Sequence, residues 1–240
     1  MEHFITHLSV LLYHADLVRA RAFHNNEAIV EDLIEIGQRV GEEGAHDEAK
    51  RYFIDANRRA MALRHPFLVA RSALQLGCSA AVRQDWVNAR TLMEQAIPAF
   101  REHGDHTFLI DAQLRLAVVY AELNQLDEAV SLLEEAIASA KALGDTLRAI
   151  YGLNDIGGIA YRDQRFRDAA QYWEEGLELS RRKRNRSYRA KLSFFLSIAL
   201  VNLGELDRAR QLLRDSSSLY RALGEHDRAA RSEKYLSEIA

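Results

Sequence analysis

In residues 126–140 the apolar side chains Leu126, Ala129, Leu132, Leu133, Ala136 and Ile137 fall three or four positions apart, while Asp127, Glu128, Glu134 and Glu135 take the opposite side. That spacing predicts an amphipathic helix, because a turn of 3.6 residues gathers such positions onto one face. The pattern returns at a fixed interval. Alanines stand at 49, 89, 129, 169 and 209, one every 40 residues without an insertion. A constant period of this length predicts a solenoid, in which each repeat buries its apolar face by stacking on its neighbours.

The pattern breaks twice in each repeat. Ala-Leu-Gly-Asp at 142–145, His-Gly-Asp at 103–105 and Ala-Leu-Gly-Glu at 222–225 align as one boundary. Gly104, Gly144 and Gly224 suit the left-handed conformation that ends a helix, and Asp105 or Asp145 can then cap the next one. A second boundary recurs half a repeat later, at 121–127, 162–168 and 201–207. Each repeat therefore reads as two antiparallel helices. Small residues recur at Gly37, Gly77, Ala117, Gly157 and Ser197 on the first helix, where a close helix contact is expected. The chain as a whole reads as all-α, with about twelve helices in a single repeat domain. An unpaired helix is expected over 1–24, five helix pairs over 25–224 and a capping helix over 225–240.

These residues resemble the tetratricopeptide repeats, whose motif is Leu-Gly-x-x-Tyr on the first helix, then a small residue, a large apolar one and a second small one on the next. Leu116-Ala117-x-x-Tyr120 followed by Ala129, Leu133 and Ala136 matches it. So do Ile156-Gly157 with Ala169, Trp173 and Gly176, Leu76-Gly77 with Ala89, Met93 and Ala96, and Leu196-Ser197 with Ala209, Leu213 and Ser216. The tyrosine is often replaced (Val40, Ala80, Ala160, Leu200), and no proline closes the second helix. The 40-residue period is similar to the long repeats of LGN/Pins adaptors and of MalT-like or Rap-type bacterial regulators. The resemblance implies a right-handed α-solenoid whose first helices line a concave groove.

Carried onto this sequence, the groove positions are Arg71, Leu74 and Cys78; Asp111, Leu114, Val118 and Glu122; Tyr151, Asn154, Gly158, Tyr161 and Arg162; and Lys191, Phe194, Ile198 and Asn202. An Asn154 amide can pair with the backbone of an extended peptide, and Gly158 leaves room beside it. Tyr151, Tyr161 and Phe194 offer apolar platforms, with Arg115, Arg162 and Lys191 for carboxylates. The competing reading of Tyr151 and Phe194 is packing between neighbouring helices. The Lys-and-Asn clamp with which some family members hold a chaperone's acidic C-terminus is not recognisable at these positions.

Charge singles out one further segment. The run Arg181-Arg182-Lys183-Arg184-Asn185-Arg186 falls at an inter-helix turn where other repeats place Gly-Asp, with Glu174, Glu175 and Glu178 as expected partners. A formal net charge of −3 and the lack of a DNA-reading motif disfavour nucleic acid as a partner. Cys78 is the only cysteine, which permits no intramolecular disulfide and suggests a reducing, cytoplasmic setting. No apolar run of membrane-spanning length occurs, so no membrane contact is expected. His3, His7 and His14 share one side of the first helix, yet a lone pair of histidines makes a poor zinc site, and neither metal nor cofactor is expected. The greasy Ile5, Val10 and Leu12 suggest a homodimer contact. Without a phosphate-binding loop, a dinucleotide turn, a zinc-protease motif or a nucleophile elbow, the chain reads as a non-enzyme that binds a protein or peptide partner. The alternatives kept beside that reading are a sensor module of a bacterial regulator and self-assembly through the first helix.

Overall fold

The computed structural model of the chain describes residues 25–239. The unpaired helix expected over 1–24, its histidines and its dimer contact lie outside the described residues. Those described form eleven α-helices: α1 (Asn26–Glu42), α2 (His46–Ala62), α3 (Pro66–Val82), α4 (Trp86–His103), α5 (His106–Glu122), α6 (Leu126–Ala142), α7 (Thr146–Arg162), α8 (Phe166–Arg182), α9 (Arg186–Asn202), α10 (Leu206–Ala222) and α11 (His226–Glu238). No strand occurs among the described residues. Odd-numbered helices are the first members of the predicted pairs and even-numbered ones the second.

The turns set this regularity. The residue that closes each turn has positive φ at Gly44, Arg64, Gln84, Gly104, Asn124, Gly144, Gln164, Arg184, Gly204 and Gly224. Half of these are not glycine, although the left-handed conformation costs an ordinary residue roughly 1–2 kcal/mol. Side-chain caps then start every odd helix but α11. Asn25, His65, Asp105, Asp145 and Asn185 accept backbone N–H bonds in the first turns of α1, α3, α5, α7 and α9. Asp105 and Asp145 do so as the sequence predicts. Among the even helices only α4 is capped in this way, by Asp85.

The chain divides into two compact units, one running to Asn124 and one from Gln125. In the first, α1 to α5 stack in chain order, with Ile29, Val30, Leu33, Ile34, Ile36 and Phe53 in the core shared by α1 to α3. A ring cluster adds to this core, with Phe67 edge-on to Phe100 at 5.8 Å and to Phe108 at 5.5 Å. In the second unit, α6 to α11 stack in the same manner, with Ile150, Trp173, Leu177, Leu192, Leu196 and Leu200 at the centre.

The predicted small positions are close contacts. A Cβ on Gly37 would lie 2.5 Å from Phe53 Cε1, one on Gly77 would lie 2.8 Å from Met93 Cγ, and one on Gly157 would lie 2.5 Å from Trp173 Nε1. A large side chain of the paired second helix, Phe53, Met93 or Trp173, thus sits in the space each glycine leaves. The periodic alanines 49, 89, 129, 169 and 209 are all buried. The last helix is tied down where Arg210 Nε donates to the Ile239 carbonyl at 2.8 Å.

Candidate binding face on the first helices

Within each unit the odd helices approach one another, α1 with α3, α3 with α5 and α7 with α9, whereas no pair of even helices comes as close among the described residues. Odd helices therefore form the inner side of each stack. The 40-residue period places Glu31, Arg71, Asp111, Tyr151, Lys191 and Arg231 at equivalent positions along that side.

In the first unit this register is neutralised internally. The Arg71 guanidinium donates to Glu31 at 3.3 Å and to Glu35 at 3.4 Å, and lies 4.9 Å from the centre of the Phe108 ring. Only 12% of the Arg71 side chain is exposed. Leu74 and Leu114 are buried, Val118 is exposed and Asp111 is half-buried. A cavity of about 450 Å³ opens beside Gly37, Gly41, Phe53, Cys78 and Arg115. Arg115 donates to Cys78 Sγ at 3.5 Å, yet burial outweighs that cation and pushes the thiol pKa up. A raised thiol pKa leaves little thiolate, so Cys78 is poorly suited to nucleophilic work.

In the second unit the predicted residues gather on α7 and α9. Tyr161 rests on Phe166 and Trp173, at 5.2 and 5.8 Å between ring centres, and its hydroxyl accepts from Asn202 Nδ2 at 3.1 Å. A Cβ on Gly158 would meet nothing within 4 Å, so the backbone there borders open space. Arg162 is exposed at the end of α7. Asn154 is held from two sides. Its carbonyl accepts from Trp173 Nε1 at 3.1 Å, and its Nδ2 donates to Asp155 Oδ1 at 2.7 Å. Its Oδ1 is shielded and has no partner among the described residues, an unsatisfied acceptor of the kind native interiors rarely leave.

Phe194 departs from the platform expected of it. It is 5% exposed, edge-on to Phe195 at 5.7 Å and to Tyr235 at 5.4 Å, with the Arg231 guanidinium 5.0 Å from its ring centre. Its ring is largely enclosed by these neighbours, as the packing alternative anticipates. Tyr151 is half-buried against Tyr188, 4.9 Å between ring centres.

Around Lys191 the electrostatics are unusual. Burial lowers the pKa of Lys191, Asp155 partly restores it, and nearby Arg228 lowers it further. Burial raises the Asp155 carboxyl above its ordinary value, against the Asn154 hydrogen bond and the Lys191 charge. The Tyr188 hydroxyl is pushed up to about 12, chiefly by burial, then by Tyr151 and Asp155. The Lys191 ammonium lies 5.5 Å from the Tyr188 ring centre and 5.9 Å from that of Phe195. Tyr188, Phe195, Arg228 and Arg231 are members of this group that sequence reasoning did not assign to the face. The available signal was the period itself, since Arg231 stands 40 residues after Lys191.

The basic turn is a structural turn first. Arg184 adopts φ 53° and Asn185 caps α9 by accepting from the Tyr188 N–H at 3.1 Å. Glu178 pairs with Arg182 at 3.1 Å and Arg181 at 4.0 Å. Glu174 and Glu175 instead bind Arg208 and Lys141, at 2.9 and 2.5 Å. Lys183, Arg184 and Arg186 make no ion pair among the described residues.

Residues 68–142 match the tetratricopeptide repeat model. No curated protein matches the sequence at a significant level. The fold is similar to that of BtubC (BKLC) from P. vanneervenii, at a TM-score of 0.78 and 18% identity over 91% of this chain and 92% of that one. It is also similar to aspartyl phosphate phosphatase F from Bacillus subtilis, at a TM-score of 0.76 and 16% identity over 91% of this chain and 58% of that one. A Rap protein complexed with competence and sporulation factor superposes at a TM-score of 0.71 and 13% identity, over 99% of this chain and 71% of that one. The fold is thus a TPR-like α-solenoid, with the tetratricopeptide register legible on both sides of the matched stretch. No described helix is long and apolar enough to cross a membrane. Among the described residues no group of three or more His, Cys, Asp or Glu is placed to hold a metal ion.

Proposed function

We propose that this chain is a non-catalytic interaction module that holds a peptide or helix of a partner protein along the inner face of its second unit. The observation that carries this reading is the convergence on α7 and α9 of Tyr151, Asn154, Tyr161, Lys191 and Asn202 beside the open backbone at Gly158. Aromatic surface, amide hydrogen bonding and a free approach to the backbone are the elements that recognise an extended chain. The Rap protein similar in fold is complexed with a factor, which agrees with such a role. A sensor module within a larger regulator is the second reading, favoured by the likeness to phosphatase F, of whose length this chain spans 58%. The test is selection of binders from a random peptide display library, followed by the Tyr151→Ala, Asn154→Ala, Arg162→Ala triple variant. The reading requires that selected peptides lose affinity for the triple variant at least about tenfold, or 1.4 kcal/mol. Unchanged binding would refute it.

A further inference from the structure

A cavity of about 360 Å³ lies between α9 and α11, closed on one side by Tyr220 of α10. Its walls carry Lys191, Arg228 and Arg231, its floor is Tyr188, Phe194 and Phe195, and no carboxylate lines it. We propose that this cavity receives a single carboxylate of the bound peptide, held by Arg231 and Lys191 above the aromatic floor. The proposal rests on the peptide-binding reading above and specifies the chemistry of one part of that face.

Three features lead there. The first is the imbalance of charge. Arg228 has a carboxylate of its own, Glu225 at 2.6 Å, and Lys191 faces the half-buried Asp155. Arg231 makes no ion pair among the described residues and rests over the Phe194 ring. One cation in excess of the carboxylates matches one negative charge, as on an Asp or Glu side chain or a peptide C-terminus, rather than the two of a phosphate. The second is burial. Lys191 is held in a position whose desolvation disfavours its charge, and an anion entering the cavity would offset that cost. The third is the floor, whose ring faces attract the cations at 5.0 to 5.9 Å and offer apolar contact to the methylenes beside an incoming carboxylate. The equivalent position in the first unit shows the alternative state, since there Arg71 is occupied by Glu31 and Glu35.

The same random peptide display library, selected on the wild-type chain, is the probe. Expected are peptides enriched in Asp, Glu or a free C-terminus next to an aliphatic or aromatic residue. A synthetic peptide of the consensus should lose about tenfold in affinity for Arg231→Glu and for Lys191→Ala, the size typical of a lost charge-assisted contact. Arg231→Gln, which removes the charge without introducing the opposite one, serves should Arg231→Glu melt early by circular dichroism. Arg214→Glu on the exposed side of α10 should leave affinity unchanged. Peptides selected without an acid, or acidic peptides that ignore Arg231 and Lys191 or respond equally to Arg214→Glu, overturn the carboxylate site alone, provided the triple variant still weakens them. A library that yields no binder overturns both readings.

Discussion

Glu31 and Arg71 in the first unit and Lys191 and Arg231 in the second hold the same register of the repeat, and they do opposite things. The first pair is an internal bond, reinforced by Glu35 and by the Phe108 ring. The second places two cations one repeat apart with no acid between them in the register, over a floor of rings. Backbone and core packing are alike in both, so the difference belongs to side chains that stacking does not constrain. A face that satisfies its own charges is a finished surface, while one that leaves them over has room for a ligand.

The largest blow to the second face is a substitution beneath it. Gly157→Ile drives a branched side chain into Trp173, which also anchors the Asn154 carbonyl, and should cost about 3 kcal/mol in urea unfolding, the upper part of the overpacking range. The contrast itself is sharpened by paired variants. Arg71→Met strips Glu31 and Glu35 of their shared partner and should cost about 1–2 kcal/mol. Arg231→Met, at an exposed position without an ion pair among the described residues, should change stability by less than about 0.5 kcal/mol. Equal effects of the two would break the comparison. Arg184→Gly removes a left-handed non-glycine turn and should raise the unfolding free energy by about 1 kcal/mol.

The smallest effect is expected from pH. Burial raises the Asp155 pKa against the Asn154 hydrogen bond and the Lys191 charge, so the folded chain holds this proton more tightly than the unfolded one. That contribution is present in acid and lost as pH rises through the raised midpoint. Asp155→Asn cannot ionise, so its stability relative to wild type should improve between acid and neutral pH, read from urea midpoints at each pH. A difference that stays flat, or falls, contradicts the assigned environment.

Much of the fold was legible because periodicity is a property of sequence. The Gly-Asp boundaries at 104–105 and 144–145 named both the left-handed residue and the cap that follows it. The turns at Arg64, Gln84, Gln164 and Arg184 carry no such signature, for stacking imposes the conformation on whatever residue stands there. The site was less legible. Phe194 reads as a groove platform by register, but Tyr235 and Arg231 from α11 enclose its ring. Arg228 and Arg231 look like the polar exterior of a terminal helix, and only their placement over rings of α9 and α10 turns them toward a cavity. Whether a charge is solvated or left facing a pocket depends on its neighbours, which spacing along one helix does not record.

The central claim is that the second unit's inner face, not the first's, engages the partner. Amide hydrogen exchange of the full chain with and without a library-selected peptide tests it most directly. Slowed exchange along α7, α9 and α11 with α1, α3 and α5 unchanged is the predicted result; protection confined to the even-numbered helices or to α1 and α3 would contradict it.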